Sequence, residues 1–123
     1  MTSEEPKQET PELEQLKEEK AELNDLMEQS DAGFFEIFND LYDTKVWAAG
    51  AIPAKYKELA GVTVSVVVRC IECIAYHVEM CVKENDSKEE LIEAIRLGIL
   101  TGGSITIPSA RYAYKVLKEL NVL

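Results

Sequence analysis

Apolar residues recur at helical spacing along most of this chain, and only one short stretch alternates as a strand would. Thr10 can cap a helix and Pro11 suits its first position. Glu12 and Glu14 favour the positive end of its dipole, and Leu13, Leu16, Leu23 and Leu26 form one apolar edge. The pattern predicts an acidic amphipathic helix over residues 10 to 30. Positions 13, 16, 20, 23 and 27 mimic a heptad seam, but Lys20 interrupts it and the run lasts only about two heptads. The helix is therefore expected to dock on its own domain or on a neighbouring subunit rather than enter a coiled coil. Ahead of it, residues 1 to 9 are polar, charged and broken by Pro6, the composition of a disordered tail.

Ser30-Asp31-Ala32-Gly33 reads as a break, after which Phe34, Ile37, Phe38, Leu41 and Tyr42 predict a second helix ending near Trp47 or Ala48. Gly50 and Pro53 supply a stop and a fresh start. Tyr56, Leu59, Ala60, Thr63, Val66, Val67 and Cys70 then share one helical face. Within this segment Val62-Thr63-Val64-Ser65-Val66 alternates and is β-branched, so propensity alone favours a strand over residues 62 to 68. Helix is the better reading, because Pro53 to Ala60 opens as a strong helix and no second strand is available for pairing. The next helix is expected from near Cys70 to Lys83, ending at Asn85-Asp86. Ser87-x-x-Glu90 is a capping box for the one after it. In that helix Leu91, Ile92, Ala94, Ile95, Ile99 and Leu100 cover most of the circumference, which predicts a central position, and Gly102-Gly103 ends or kinks it. Ile107-Pro108 opens a last helix, apolar along Tyr112, Val116, Leu117 and Leu120. The expectation is a single all-α domain of about six helices.

Composition narrows the function. At 123 residues and 46% hydrophobic, the chain suits one core. The formal charge is −10, yet residues 1 to 30 hold ten acids against three lysines, leaving 13 acids and 10 bases for residues 31 to 123. A near-balanced body with no basic stripe argues against nucleic acid or an anionic membrane as partner. No apolar run approaches the ~20 residues that span a bilayer, and residues 1 to 10 lack a signal peptide's apolar region. Three cysteines, two of them in one Cys-x-x-Cys, suit a reducing compartment, so the cytoplasm is the expected location.

The candidate chemistry lies in Cys70-Ile71-Glu72-Cys73-Ile74-Ala75-Tyr76-His77, which holds the single histidine of the chain. On a helix, Cys73 and His77 are separated by about 40° and roughly 6 Å of rise, whereas Cys70 and His77 lie roughly 10 Å apart along the axis. His77 can therefore serve Cys73 directly as base. This assigns Cys73 as attacking thiolate and Cys70 as resolving thiol. An imidazole base needs an acceptor on its far nitrogen, and Glu58 is the candidate. In one continuous helix Glu58 would sit about 18 Å from Cys70, so the chain must turn near Arg69 or Cys70, although no Gly or Pro marks the place. The bland alternatives are two small core cysteines and a satisfied interior histidine. A metal held by Cys70, Cys73 and His77 is a third. Cys81 cannot complete that set, since it lies about 16 Å from Cys70 along one helix, and it reads as a buried hydrophobe.

Glu58, eleven intervening residues, Cys70-x-x-Cys73, three more and His77, followed by the capped apolar helix and Gly102-Gly103, resemble the carboxymuconolactone decarboxylase superfamily, specifically its alkyl hydroperoxidase D-like branch. The likeness covers roughly residues 34 to 121. It implies an alkyl hydroperoxidase D-like fold over residues 31 to 123, often assembled into trimers or hexamers. It also implies that Cys73 attacks a peroxide, that Cys70 resolves the sulfenic acid, and that His77 and Glu58 form the proton relay, either directly or through a water. The implied partners are a small-molecule peroxide and a dithiol or protein reductant, with no cofactor. The superfamily's founding decarboxylases act without this cysteine pair, so the resemblance points to antioxidant redox chemistry rather than decarboxylation. The alternative is a non-catalytic oligomeric protein that senses redox state or holds a metal. One departure is Glu72, where well-studied hydroperoxidases carry a second histidine; an acid there works against the thiolate.

Overall fold

The computed structural model describes residues 11–123. The tail expected over residues 1 to 9 and the Thr10 cap lie outside the described residues. Among the described residues the chain forms six α-helices and no strand: α1 (Leu13–Ser30), α2 (Ala32–Asp40), α3 (Ala54–Val68), α4 (Ile71–Lys83), α5 (Lys88–Gly102) and α6 (Ile107–Glu119). A π-helical turn, Leu41–Val46, extends α2, and a 3-10 turn, Ser104–Thr106, precedes α6. None of these helices is long and apolar enough to cross a membrane.

The core lies among α3 to α6. Val62 and Val66 from α3, Ile74 and Val78 from α4, Leu91 and Ile95 from α5, and Val116 and Leu117 from α6 are completely buried together. The β-branched run is therefore helical. Burial of its i, i+4 pair Val62 and Val66 outweighs a propensity cost of a few tenths of a kcal/mol per residue. Thr63 contributes as well, its hydroxyl donating to the carbonyl of Ala94 on α5 at 2.8 Å.

The turn expected near Arg69 is present. Arg69 adopts the left-handed conformation (φ 58°, ψ 41°), and the amides of Arg69 and Cys70 bond back to Val66 and Ser65. A helix ending of this kind usually takes glycine, because only there is positive φ free of steric cost. Here the closed backbone bonds and the packing of α4 on α3 hold a non-glycine residue in place. At the other marked boundary, Ser87 accepts from the Glu90 amide at 3.1 Å while the Glu90 carboxylate accepts from the Ser87 amide at 3.0 Å, a complete capping box. Gly103, with φ 85°, ends α5, and Pro108 stands in the first turn of α6.

Several sequence expectations need correction. Helix α1 starts at Leu13 with Glu12 as its cap, so Pro11 precedes the helix instead of opening it. The break after Ser30 is a single residue, Asp31, and Ala32 and Gly33 are already helical. Of the apolar edge of α1 only Leu13 and Leu16 reach the core, whereas Leu23 and Leu26 are exposed. Phe34, Ile37, Phe38 and Leu41 are likewise exposed, as are Tyr56 and Val67 of α3. Helix α5 is not covered on all sides, since Leu100 is 81% exposed. Periodicity marks an apolar face without saying whether this chain alone covers it.

Cys81 is fully buried in the core, as a small hydrophobe would be. Against it in space stands Asp86, whose side chain is wholly inaccessible, with Lys55 Nζ 3.8 Å away. Burial raises its pKa above the ordinary carboxylate value, the neighbouring Cys81 thiol and Lys55 opposing only in part. A carboxyl that binds its proton more tightly folded than unfolded adds stability at low pH and loses it as pH rises through the folded pKa. Asp86→Asn should therefore raise stability at pH 7 more than at pH 4. Urea unfolding at the two pH values checks this, and an equal effect at both would refute it.

Candidate functional site

Because Arg69 turns the chain, α4 packs on α3 and brings His77 to Glu58, with the Cys70–Cys73 disulfide at the start of α4 one turn before His77. Glu58, on the second turn of α3, is 3% exposed, and His77, in the middle of α4, is 6% exposed. His77 Nδ1 and Glu58 Oε2 are 2.7 Å apart, a direct contact with no room for an intervening water. A carboxylate only accepts, so in the neutral imidazole the Nδ1 hydrogen is donated to Glu58 and Nε2 is the nitrogen that carries the free lone pair.

Cys70 and Cys73 are joined as a disulfide, with their Cα atoms 5.2 Å apart. Cys70 is the N-cap of α4, its sulfur accepting from the Cys73 amide at 3.2 Å, and Cys73 stands at the third helical position. Both sulfurs thus lie where the helix dipole favours a thiolate once the bond is reduced. Glu72, also in that first turn, is exposed.

A cavity of about 500 Å³ opens between α4 and the α1–α2 segment. Cys73 and His77 line it and Cys70 does not. Its remaining walls come from Lys20, Asn24, Met27 and Glu28 of α1, Phe35, Phe38 and Asn39 of α2, Tyr42 and Asp43 of the π-helical turn, and Glu72 and Tyr76 of α4. Burial raises the pKa values of the Tyr42 and Tyr76 phenols above the ordinary tyrosine range, so both stay protonated at neutral pH and face the cavity as neutral hydroxyls.

Three features escaped sequence reasoning. The first is Gly61. A β-carbon there would lie 2.6 to 2.9 Å from three atoms of the His77 ring, so the imidazole rests on bare α3 backbone that any side chain would obstruct. A glycine inside a helix costs about 1 kcal/mol relative to alanine, and that mismatch was the available signal. The second is Trp47, whose ring centre is 4.5 Å from that of His77. The third is the π-helical turn, closed by the Trp47 amide bonding to the Tyr42 carbonyl at 3.0 Å. It brings Tyr42 and Trp47 together, 5.6 Å between ring centres, beside His77. π-Turns have no strong sequence signature but cluster at functional sites.

Residues 32–119 match the model of the carboxymuconolactone decarboxylase family. The chain belongs to that family. Among solved structures, a carboxymuconolactone decarboxylase family protein from Legionella pneumophila superposes with a TM-score of 0.81 over 87% of this chain and 95% of that one; at 22% identity this is a likeness of fold alone. Two crystal structures of one Thermotoga maritima protein of the family are 40% and 38% identical, with TM-scores of 0.76 and 0.77. They cover 82% and 87% of this chain and 90% of each of theirs. A part in antioxidative response has been suggested for that protein. An uncharacterised protein of Cupriavidus necator is 32% identical over 74 residues, 60% of this chain and 63% of that one, so the match spans less than two thirds of that relative.

The Glu58–His77 pair allows a direct stability test. Removing one partner of a buried pair leaves the other uncompensated, which costs about 3 kcal/mol or more. Glu58→Ala should lose that much in urea unfolding, whereas Glu58→Gln, whose amide oxygen still accepts from Nδ1, should lose no more than about half of it. Equal losses in both variants would mean that the contact does not carry the effect.

Proposed function

We propose that this chain is a cytoplasmic thiol-dependent peroxidase of the alkyl hydroperoxidase D-like branch. The reading rests chiefly on one observation: the cavity is lined by Cys73 and by His77, itself backed by the buried Glu58, while Cys70 lies outside it. The antioxidative role suggested for the Thermotoga relative supports it.

In the reduced protein, His77 Nε2 takes the Cys73 proton and the thiolate attacks the outer oxygen of a hydroperoxide. The O–O bond breaks, that oxygen stays on sulfur as a sulfenic acid, and the departing alkoxide takes the proton from His77 and leaves as the alcohol. Cys70, one turn away, then attacks the sulfenic sulfur. The S–S bond forms and water leaves, carrying the Cys70 proton. An external dithiol supplies two electrons and two protons to restore both thiols and ends as a disulfide. Glu58 holds the histidine tautomer and offsets the charge on the imidazolium. Glu72, standing where a second histidine occurs in well-studied hydroperoxidases, favours a slower nucleophile.

Cys73→Ser should abolish peroxide-dependent oxidation of dithiothreitol, and His77→Ala should lower it by about 10²-fold or more while shifting the alkylation pH profile of Cys73 upward. Turnover that survives Cys73→Ser would sink the assignment of the nucleophile. A disulfide that forms with peroxide but never turns over would favour the non-catalytic sensor instead.

We also infer a homo-oligomer, a trimer or hexamer as in related proteins. Val64 and Val68 of α3, Leu97 and Leu100 of α5, and Ile105 of the 3-10 turn are exposed apolar residues near the ends of two helices that pack together, the kind of surface that copies of a chain cover in an assembly. Light scattering should give a mass several times 13.8 kDa, and Leu100→Glu should shift it toward the monomer. A monomeric wild-type protein would end this reading.

A further inference from the structure

The family match begins at residue 32, so α1 lies wholly outside it. Yet α1 supplies one wall of the cavity, through Lys20, Asn24, Met27 and Glu28. It is held there by contacts with α4 and α6. The Leu13 amide donates to Glu119 Oε2 at 3.0 Å, Lys17 pairs with Glu79 at 3.1 Å, and Lys20 Nζ stands 4.6 Å from the centre of the Tyr76 ring. A second cavity of about 240 Å³ continues between α1 and α4 and shares Lys20, Asn24, Glu72 and Tyr76 with the first. The Lys20–Tyr76 stack therefore stands at the boundary of two hollows beneath α1.

The size and lining select among peroxides. Hydrogen peroxide is little larger than a water molecule, whose share of liquid volume is about 30 Å³; the main cavity is more than ten times that and falls in the range of small-molecule sites. The rings of Phe35, Phe38, Tyr42 and Tyr76 line it, and with Glu28, Asp43 and Glu72 against Lys20 its charged groups disfavour an anion. We propose that α1 is a substrate-selecting wall and that the site takes a neutral organic hydroperoxide bearing an aromatic group, the ring held among these four side chains and the peroxide end toward Cys73 and His77. This rests on the peroxidase reading for its chemistry, whereas the selection itself is a matter of binding.

The test uses the full chain and two readouts. The first is binding of 2-phenyl-2-propanol, the alcohol product of cumene hydroperoxide, followed through the fluorescence of Trp47, the sole tryptophan, whose ring lies against those of Tyr42 and His77. The second is the ratio of kcat/KM for cumene hydroperoxide to that for hydrogen peroxide, with dithiothreitol as reductant. Asn24→Phe puts a ring into the cavity from an exposed helix position that can accept it without unfolding the core. It should weaken alcohol binding at least tenfold and lower the kcat/KM ratio at least tenfold. Glu22→Phe, on α1 but outside both linings, should change neither. Saturable binding that Asn24→Phe weakens and Glu22→Phe does not supports the inference whatever the turnover, and missing peroxide consumption would then count against the peroxidase reading alone. Absence of saturable binding, or equal effects of the two variants, overturns the inference even if hydrogen peroxide is consumed.

Discussion

The contact between Glu58 and His77 is the constraint on which the rest of the molecule depends. Removing a carboxylate and an imidazole from water costs several kcal/mol per charge unless each finds a partner, and their single 2.7 Å contact spans two helices. It therefore fixes the register of α3 against α4. For Glu58 to meet a residue nineteen positions later, α3 must stay helical through its valine run and the chain must reverse at Arg69. The imidazole must also approach α3 closely enough to rest on Gly61. A slip of one residue in either helix would rotate one partner by about 100° and leave a buried group alone.

The two ends of the cysteine motif are set by different physics. The Cys70–Cys73 end depends on the start of a helix, where unpaired amides await acceptors and the Cys70 sulfur fills the cap position. The His77 end depends on tertiary burial against α3. The linkage between them is one turn of α4, so a change in the redox state of the sulfurs need not disturb the buried pair. Glu72 sits in the same first turn and draws on the same dipole as the sulfurs. Its negative charge stabilises the helix start while opposing a second negative charge beside it.

What could be read from the residues divides along the same line. Local chemistry was legible: the Ser87–Glu90 capping box closes in both directions, and Pro108 opens the last helix. The helical reading of residues 62 to 68 holds because no pairing strand exists to reward the β-branched residues. The meeting of Glu58 with His77 was also foreseen, from the need of an imidazole for an acceptor. Features that depend on what lies across a gap were not legible. The reason for Gly61 lies in the His77 ring that rests against it from another helix. Leu23, Leu26 and Leu100 have the spacing of core residues, yet this chain alone leaves them in solvent. The first helical residue is Leu13, two positions after the expected Pro11, and its amide docks on α6 through Glu119, a contact that propensity does not register.

The titratable groups around the cavity narrow what acid-base chemistry it can support. Tyr42 and Tyr76 are protonated at neutral pH, and burial moves their pKa values further up, so neither takes a proton there. Lys20 is a cation stacked on Tyr76 and has no lone pair to offer. Cys81, whose pKa burial drives far above the ordinary thiol value, is sealed in the core and lines neither cavity. Glu28, Asp43 and Glu72 are solvated on the outer walls. His77 differs from all of these: one nitrogen is committed to a buried carboxylate and the other is left as an acceptor on an aromatic-lined cavity that Cys73 shares. For this reason the proposed relay runs from Cys73 through His77 to Glu58 without a tyrosine or lysine in it.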